Sequence, residues 1–429
     1  MVPELYSVAG QPRRKFSLDE VRTLLEALGN PHRLFRSILI AGTNGKGSTA
    51  ATLSSILKAS GHKVGLYTSP HLERPNERIR VDGYEIGDDD FARLFFVVMN
   101  TAKELLQAEK LPKIPSYFEI LTALAFLYFA ESKIEIAVLE VGMGGRLDAT
   151  NVVDPLLSII TDISLDHTEW LGPTIAAITR EKAGILRPGG TMITLPQHPE
   201  ANQVLGEVAT DLDVHAINAA GYLPTPGAAS PYVAEVLGAM ITVDSPLAGV
   251  HQRRNVALAI AAAVVLGKEP GFTVTPASIE LGIRQTIWPG RVERFASHGV
   301  EWILDVAHNP AGAWALRAAL SAILTENRPR ILVFSCLRDK PLDELAQILF
   351  PLFDRVILAP IHSARAATQS DLLKAAQQTG SSVIAEDSVA DALARARELA
   401  AGGIAVVSGS VYLVGEARTV LLGAKGKTE

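Results

Sequence analysis

Cysteine is almost absent: Cys336 is the only one in 429 residues. Neither an intrachain disulfide nor a cysteine-rich zinc site can form, and a reducing compartment is the natural setting. A basic excess is missing too. With 40 Lys plus Arg against 46 Asp plus Glu, the formal charge of −6 argues against nucleic acid or an acidic membrane as partner. The longest apolar run, residues 256–266, is well short of the roughly 20 residues that span a bilayer and reads as a buried core helix. Met1–Gly10 shows no basic segment followed by an apolar stretch, so no signal peptide is expected. The mature chain is expected to start there and to reside in the cytoplasm. No fixed internal period is visible, which excludes a solenoid or propeller.

What is present is the composition of a globular protein, 48% hydrophobic and 20% charged, with ample apolar surface to bury. The chain is longer than the roughly 250–300 residues at which single cores stop growing, so two domains are expected. Ser37–Thr43 is an apolar run ending near glycine and Ser48–Ala59 has helical spacing. A short strand follows at 63–67, then helical patterns over 88–109 and 116–131, then apolar strands at 134–141 and 156–161. This alternation predicts a largely parallel sheet with helices on both faces. Residues 197–247 are rich in Gly, Pro and Ser and read as loops with small antiparallel strands. After Trp288-Pro289-Gly290 a fresh strand–helix series begins, with strands at 302–306, 331–334, 355–358, 382–385 and 404–407. The reading is therefore α/β, with an N-terminal domain over 1–294 and a smaller Rossmann-like C-terminal domain over 295–429.

Gly42-Thr43-Asn44-Gly45-Lys46-Gly47-Ser48-Thr49 lies between the first strand and a helix. There glycines let backbone N–H groups approach phosphates, and the helix N-terminus favours negative charge. Lys46 would bind the β- and γ-phosphates, and Ser48 is a further phosphate contact. The strict P-loop pattern is not met, because Ile40 stands at its first glycine and Gly47 at its hydroxyl position. A dinucleotide site at Gly142-Met143-Gly144-Gly145 is a poor reading, since Leu147 replaces the final glycine of that fingerprint.

The form GTNGKGS resembles the Mur ligase superfamily, ATP-dependent enzymes that make amide bonds through acyl phosphates. Further segments resemble its folate branch: Thr68-Ser69-Pro70-His71-Leu72, the stretch from Leu139 to Asn151, Asp166-His167-Thr168-Glu169-Trp170-Leu171-Gly172 and Glu181-Lys182-Ala183-Gly184-Ile185. So do His251-Gln252-Arg253-Arg254-Asn255, Pro289-Gly290-Arg291 and Asp305-Val306-Ala307-His308-Asn309-Pro310. The matches run in family order from about residue 15 to residue 340 and fade beyond Leu337–Pro341.

The resemblance implies a site. ATP would be held by Thr43, Asn44, Gly45, Lys46, Gly47 and Ser48, with Asn255, Arg291, Asp305 and His308 as further contacts. Arg291 can pair with phosphate, Asn255 can read a base edge and Asp305 can accept ribose hydroxyls. Ser69, Glu140 and His167 would hold Mg²⁺; the first two offer the oxygens that ion prefers, whereas an imidazole is an unusual ligand for it. Lys182 matches a lysine that captures CO₂ as a carbamate. Lys46, His167 and Lys182 would then be the catalytic residues. Ser116, Tyr117, Phe118, Glu119, Leu147, Asp148 and Ala149 match segments that line a dihydropteroate or folate site, where aromatic faces can stack a flat heterocycle.

The implied activity is ATP-dependent addition of L-glutamate to dihydropteroate and to reduced folate mono- or polyglutamates, by a monomer. A single one of these activities is the alternative. A peptidoglycan ligase of the same superfamily fits less well, because only about forty residues precede the loop, too few for its usual UDP-binding domain. A non-catalytic nucleotide-binding regulator would not need the acceptor motifs.

Overall fold

The computed structural model describes residues 17–324 and 328–423; the expectations for Met1–Gly10 lie outside that range. Eight strands form the first sheet: β1 (Arg36–Ala41), β2 (Val64–Tyr67), β3 (Ile79–Val81), β4 (Tyr84–Glu85), β5 (Ile136–Glu140), β6 (Leu157–Ile160), β7 (Thr191–Thr194) and β8 (His215–Asn218). Their order is β4-β3-β2-β5-β1-β6-β7-β8. The β2–β3 and β3–β4 pairs are antiparallel and the others parallel. The central strands read as unbroken apolar runs because both faces are covered. Leu39 and Ala41 join a core cluster with Phe118, Leu121 and Phe126. The alternate residues Ile38 and Ile40 are equally buried, as the period of two requires.

Two helices matter most for positioning. Tyr117–Glu131 starts from a capping box: Ser116 Oγ accepts from Glu119 N, and the Glu119 carboxylate accepts from Ser116 N at 2.6 Å. This is the S-x-x-E signature of a helix start. Lys46–Ala59 begins at Gly45 with no side-chain cap, and packs on β1, β2 and β5 and against the helix Pro276–Arg284.

The segment read as loops is more regular than its composition suggests. Pro199–Asp211 is a helix capped by His198, and only β9 (Tyr232–Val236) and β10 (Ala239–Val243) form the expected small antiparallel pair. The apolar run at 256–266 lies in the helix Val250–Leu266 and is largely buried.

The last six strands are β11 (Glu293–Ser297), β12 (Val300–Leu304), β13 (Arg330–Phe334), β14 (Arg355–Leu358), β15 (Val383–Ala385) and β16 (Ile404–Ser408). They form a second sheet in the order β11-β12-β16-β13-β14-β15, with only β11–β12 antiparallel. The chain resolves into two units. Among the described residues one holds 17–69, 75–246 and 253–286, and the other holds 70–74, 247–252, 287–324 and 328–423. The expected division between 294 and 295 falls inside β11. The short segment 70–74 joins the second unit because Leu72 packs in its core beside Val306 and Val414.

Gly282 marks the tightest helix contact of the first unit: a Cβ there would lie 2.3 Å from Ile56 Cα. Backbone cannot yield as a flexible side chain can. Gly282→Ala is expected to destabilise the fold by about 1–3 kcal/mol, read as a lowered denaturation midpoint.

Candidate active site

The phosphate loop leaves the C-terminal end of β1, the side of a parallel sheet where ligands bind. Gly42 has φ +152°, and a Cβ there would lie 1.8 Å from Thr161 Oγ1; Gly45 has φ +89° and faces Asn255 Oδ1. Only glycine fits either place. Thr43 N and Asn44 N donate to Asp162 O at 2.9 and 3.1 Å. Thr43 Oγ1 donates to Ser164 O, and Asn44 Nδ2 to Ser164 Oγ. The loop is thus laid along the chain just past β6. Its helix carries no side-chain cap, so the first-turn N–H groups are aimed where an anion would be held. Ser48 and Thr49 are buried in that turn.

Two lysines reach the loop's carbonyls. Lys46 Nζ donates to Thr43 O at 3.1 Å, and Lys182 Nζ donates to Gly42 O at 2.7 Å. Lys182 is buried. Desolvation, with the nearby Lys46 charge adding to it, pushes its amine down to about 7.

Glu140 ends β5 opposite Ile40, and its buried carboxylate accepts from Ser69 N at 3.2 Å. Ser69 follows β2 and His167 follows β6 in chain order. His167 has φ +50°, an uncommon backbone for a non-glycine residue, and its N–H donates to Asp166 Oδ1 at 2.8 Å. Among the described residues no group of three His, Cys, Asp or Glu could hold a metal unaided. The donor set still fits Mg²⁺, because that ion takes one or two carboxylates and keeps several waters. Glu140 supplies such a carboxylate, and its hydrogen bond from Ser69 N places that serine beside it.

Beside these residues lies an open cleft lined by Ser116, Phe118, Glu119, Leu147, Asp148 and Ala149. Met143, Gly144, Gly145, Arg146, Trp170, Leu171 and Glu181 complete the wall. Tyr117 is not in the lining; Arg78 lies over its ring at 5.8 Å. Asp148 is mostly committed to the loop's shape: Oδ2 accepts from Met143 N and Oδ1 from Thr150 N and Oγ1. Burial raises its pKa, and these hydrogen bonds oppose the rise. Arg146 is anchored on Glu181 by two hydrogen bonds. Sequence reading passed over Met143, Arg146 and Trp170 as lining; all three stand in the motifs quoted for the resemblance, but nothing in the spacing says which side chains face a common cleft.

In the second unit Asp305 is buried, with one carboxylate oxygen accepting from Val292 N and the other from Ala307 N, both at 2.9 Å. Each oxygen keeps a further lone pair. Desolvation raises its pKa against the opposing Arg291 and His251 charges. Arg291 Nη1 donates to Gly290 O, and His308 Nδ1 lies 2.8 Å from Val306 O. Asn309 caps the helix Pro310–Ile323.

A glycine-rich phosphate loop at the carboxyl edge of a parallel sheet, a buried carboxylate beside a serine backbone and an adjoining cleft define a P-loop α/β enzyme that uses a nucleotide. The Mur ligase middle domain matches residues 40–263, and the Mur ligase glutamate ligase domain matches 290–411. The chain is 35% identical to the folylpolyglutamate synthase of Lacticaseibacillus casei, over 94% of each chain. It is also 35% identical to the dihydrofolate synthase/folylpolyglutamate synthase of Bacillus subtilis, again over 94% of each. Mycobacterium tuberculosis folylpolyglutamate synthase, solved with ADP and AMPPCP, superposes with a TM-score of 0.87 at 34% identity, covering 94% of this chain and 95% of that one. Escherichia coli FolC, solved with DHPP and ADP, gives 0.84 at 31%, covering 98% and 96%. The chain belongs to the Mur ligase family, in its folylpolyglutamate synthase/dihydrofolate synthase branch, and is an ATP-dependent amide ligase.

The buried lysine gives a pH-dependent stability. Between pH about 7 and 10.5, the folded and ordinary values for Lys182, the unfolded chain binds a proton that the folded chain does not. Stability therefore rises with pH across that window. Relative to Lys182→Met, the wild-type unfolding free energy is expected to climb from pH 7 to pH 10 and to be level below pH 7. Denaturant titrations in CO₂-depleted buffer read this directly.

Proposed function

We propose that this ligase joins L-glutamate to dihydropteroate and to reduced folate mono- and polyglutamates, with ATP as co-substrate. The observation that carries the reading is the position of Lys182. A Cβ on cleft residue Gly145 would touch Lys182 O, while the Lys182 side chain reaches Gly42 O in the phosphate loop. One residue thus joins the acceptor cleft to the loop.

A carboxylate resists an amine because it is anionic and has no good leaving group. Transfer of the γ-phosphoryl group to the acceptor carboxylate supplies that leaving group. The glutamate amine then attacks the carbonyl carbon, the amide forms and phosphate departs. Gly45, Gly47 and Ser48 hold the phosphates with backbone and hydroxyl donors, Thr43 and Asn44 shape the loop around them from their anchorage on Asp162 and Ser164, and Lys46 stabilises the transferring charge. Asn255, Arg291, Asp305 and His308 contact ATP, Arg291 through phosphate and Asp305 through ribose hydroxyls. Phe118 and Leu147 give the cleft the apolar wall that a flat heterocycle needs; Ser116, Glu119, Asp148 and Ala149 shape it, and Tyr117 begins the helix that carries Phe118 and Glu119.

Ser69, Glu140 and His167 hold Mg²⁺, which when bound neutralises phosphate charge during transfer. Lys182, whose neutral amine is accessible near pH 7, takes up CO₂: nitrogen bonds to carbon, a proton leaves, and the side chain becomes anionic. The chain works as a cytoplasmic monomer. The membrane plays no part in the reading, and among the described residues no helix is long and apolar enough to cross one.

Lys46→Ala is expected to lower ATP-dependent amide formation by at least about 10²-fold with the melting temperature nearly unchanged; wild-type turnover would refute the loop's role. Product analysis with glutamate and either dihydropteroate or a reduced folate monoglutamate tests the substrates. Amide from both is expected, and amide from neither overturns the assignment. For the carbamate, ¹³C-bicarbonate should yield a carbamate NMR signal that Lys182→Met abolishes; its absence in active enzyme removes that assignment.

A further inference from the structure

The first half of the phosphate loop is anchored on Asp162 and Ser164. Thr43 N and Asn44 N both donate to Asp162 O, and Ser164 exchanges two hydrogen bonds with Thr43 at 3.0 and 3.1 Å. Asp162 is itself gripped from another element. Arg254 Nε donates to Asp162 Oδ2 at 2.8 Å and to Oδ1 at 3.0 Å, and Arg254 Nη2 donates to Oδ1 and to Pro196 O. Arg254 lies one residue before Asn255 in the helix Val250–Leu266, and Asn255 Oδ1 sits 2.2 Å from where a Gly45 Cβ would be. The chain of contacts closes on itself, from loop to Asp162, to Arg254, to Asn255 and back to the loop.

We propose that the Asp162–Arg254 pair is a positioning device for the nucleotide site. It holds the phosphate loop and Asn255 at one separation, so that phosphates and base are met together. The inference rests on the ATP-binding reading of those two parts. Both side chains are partly exposed, 28% for Arg254 and 39% for Asp162, and an exposed ion pair contributes little to global stability. Its effect should therefore appear in ATP binding rather than in melting. The grip needs a planar, forked donor, which lysine lacks.

The test uses the full chain carrying Asp162→Ala, Arg254→Met, Arg254→Lys, Asp162→Glu and the Asp162→Ala/Arg254→Met double substitution. KM is measured for ATP and for the folate acceptor, ATP affinity by calorimetry without acceptor, and melting temperature for each variant. Asp162→Ala and Arg254→Met should each raise the ATP KM and dissociation constant about 5- to 20-fold, leaving the acceptor KM and the melting temperature near wild type. Arg254→Lys should not recover affinity, Asp162→Glu should recover part of it, and the double variant should be no worse than the worse single one. Unchanged ATP affinity overturns the proposal. So does a double variant whose loss is the product of the two singles, or a parallel rise of both KM values with a lowered melting temperature. Lys46→Ala, run alongside, separates the two readings. If it keeps wild-type turnover, the loop does not bind ATP. If it loses turnover while the pair's variants keep their ATP affinity, only the pair's role fails.

Discussion

Everything at this site depends on how closely the backbone at Gly42 can approach its surroundings. Thr161 leaves no room for a Cβ at Gly42, and the Gly42 carbonyl is the acceptor of the buried Lys182 ammonium or amine. A side chain at Gly42 would push the loop off the end of β6 and separate it from Lys182. The loop's amides, the lysine pair and the neighbouring carboxylate would then lose their common frame. Close contact, rather than any one strong bond, holds the site together.

Burial then sets the chemistry. Lys182 sits in a low-dielectric site next to a second lysine, which brings its amine down to about 7 and makes it a group of variable charge at ordinary pH. Asp148 and Asp305 are buried carboxylates with raised pKa values. Asp148 accepts from Met143 N, Thr150 N and Thr150 Oγ1, and Asp305 from Ala307 N and the distant Val292 N, so both brace the site's geometry. The acidic residues of the site are therefore not equivalent. Glu140 instead ends β5 and accepts from Ser69 N, just past the neighbouring strand β2, at 3.2 Å.

Much of the fold was legible along the chain because local patterns and tertiary burial agree there. The apolar runs at 37–43, 134–141 and 156–161 became β1, β5 and β6, since strands covered on both faces have no polar alternation to confuse the reading. The helix Pro199–Asp211 escaped because its flanking Pro and Gly residues dominate the composition of 197–247, while its apolar face is narrow: Ala201, Val204 and Leu205 are its buried residues. The division between units was offset for another reason. Which unit residues 70–74 and 287–294 join is decided by side chains such as Leu72 packing far from their sequence neighbours.

The sequence by itself determined the chemistry available: a glycine-rich loop after a strand, a lysine at its helix start, and acceptor motifs in the order of the folate-branch ligases. These are short-range signals, readable wherever they stand. Only the tertiary structure decided which of those residues meet. It brought Lys182 across 140 positions to Gly42 and laid the loop on Asp162 and Ser164. It also set Arg254 on Asp162 across 92 positions and turned Phe118, Asp148 and Trp170 toward one cleft while leaving Tyr117 out of its lining. Long-range contacts of this kind are set by packing of whole elements, and no local spacing encodes them.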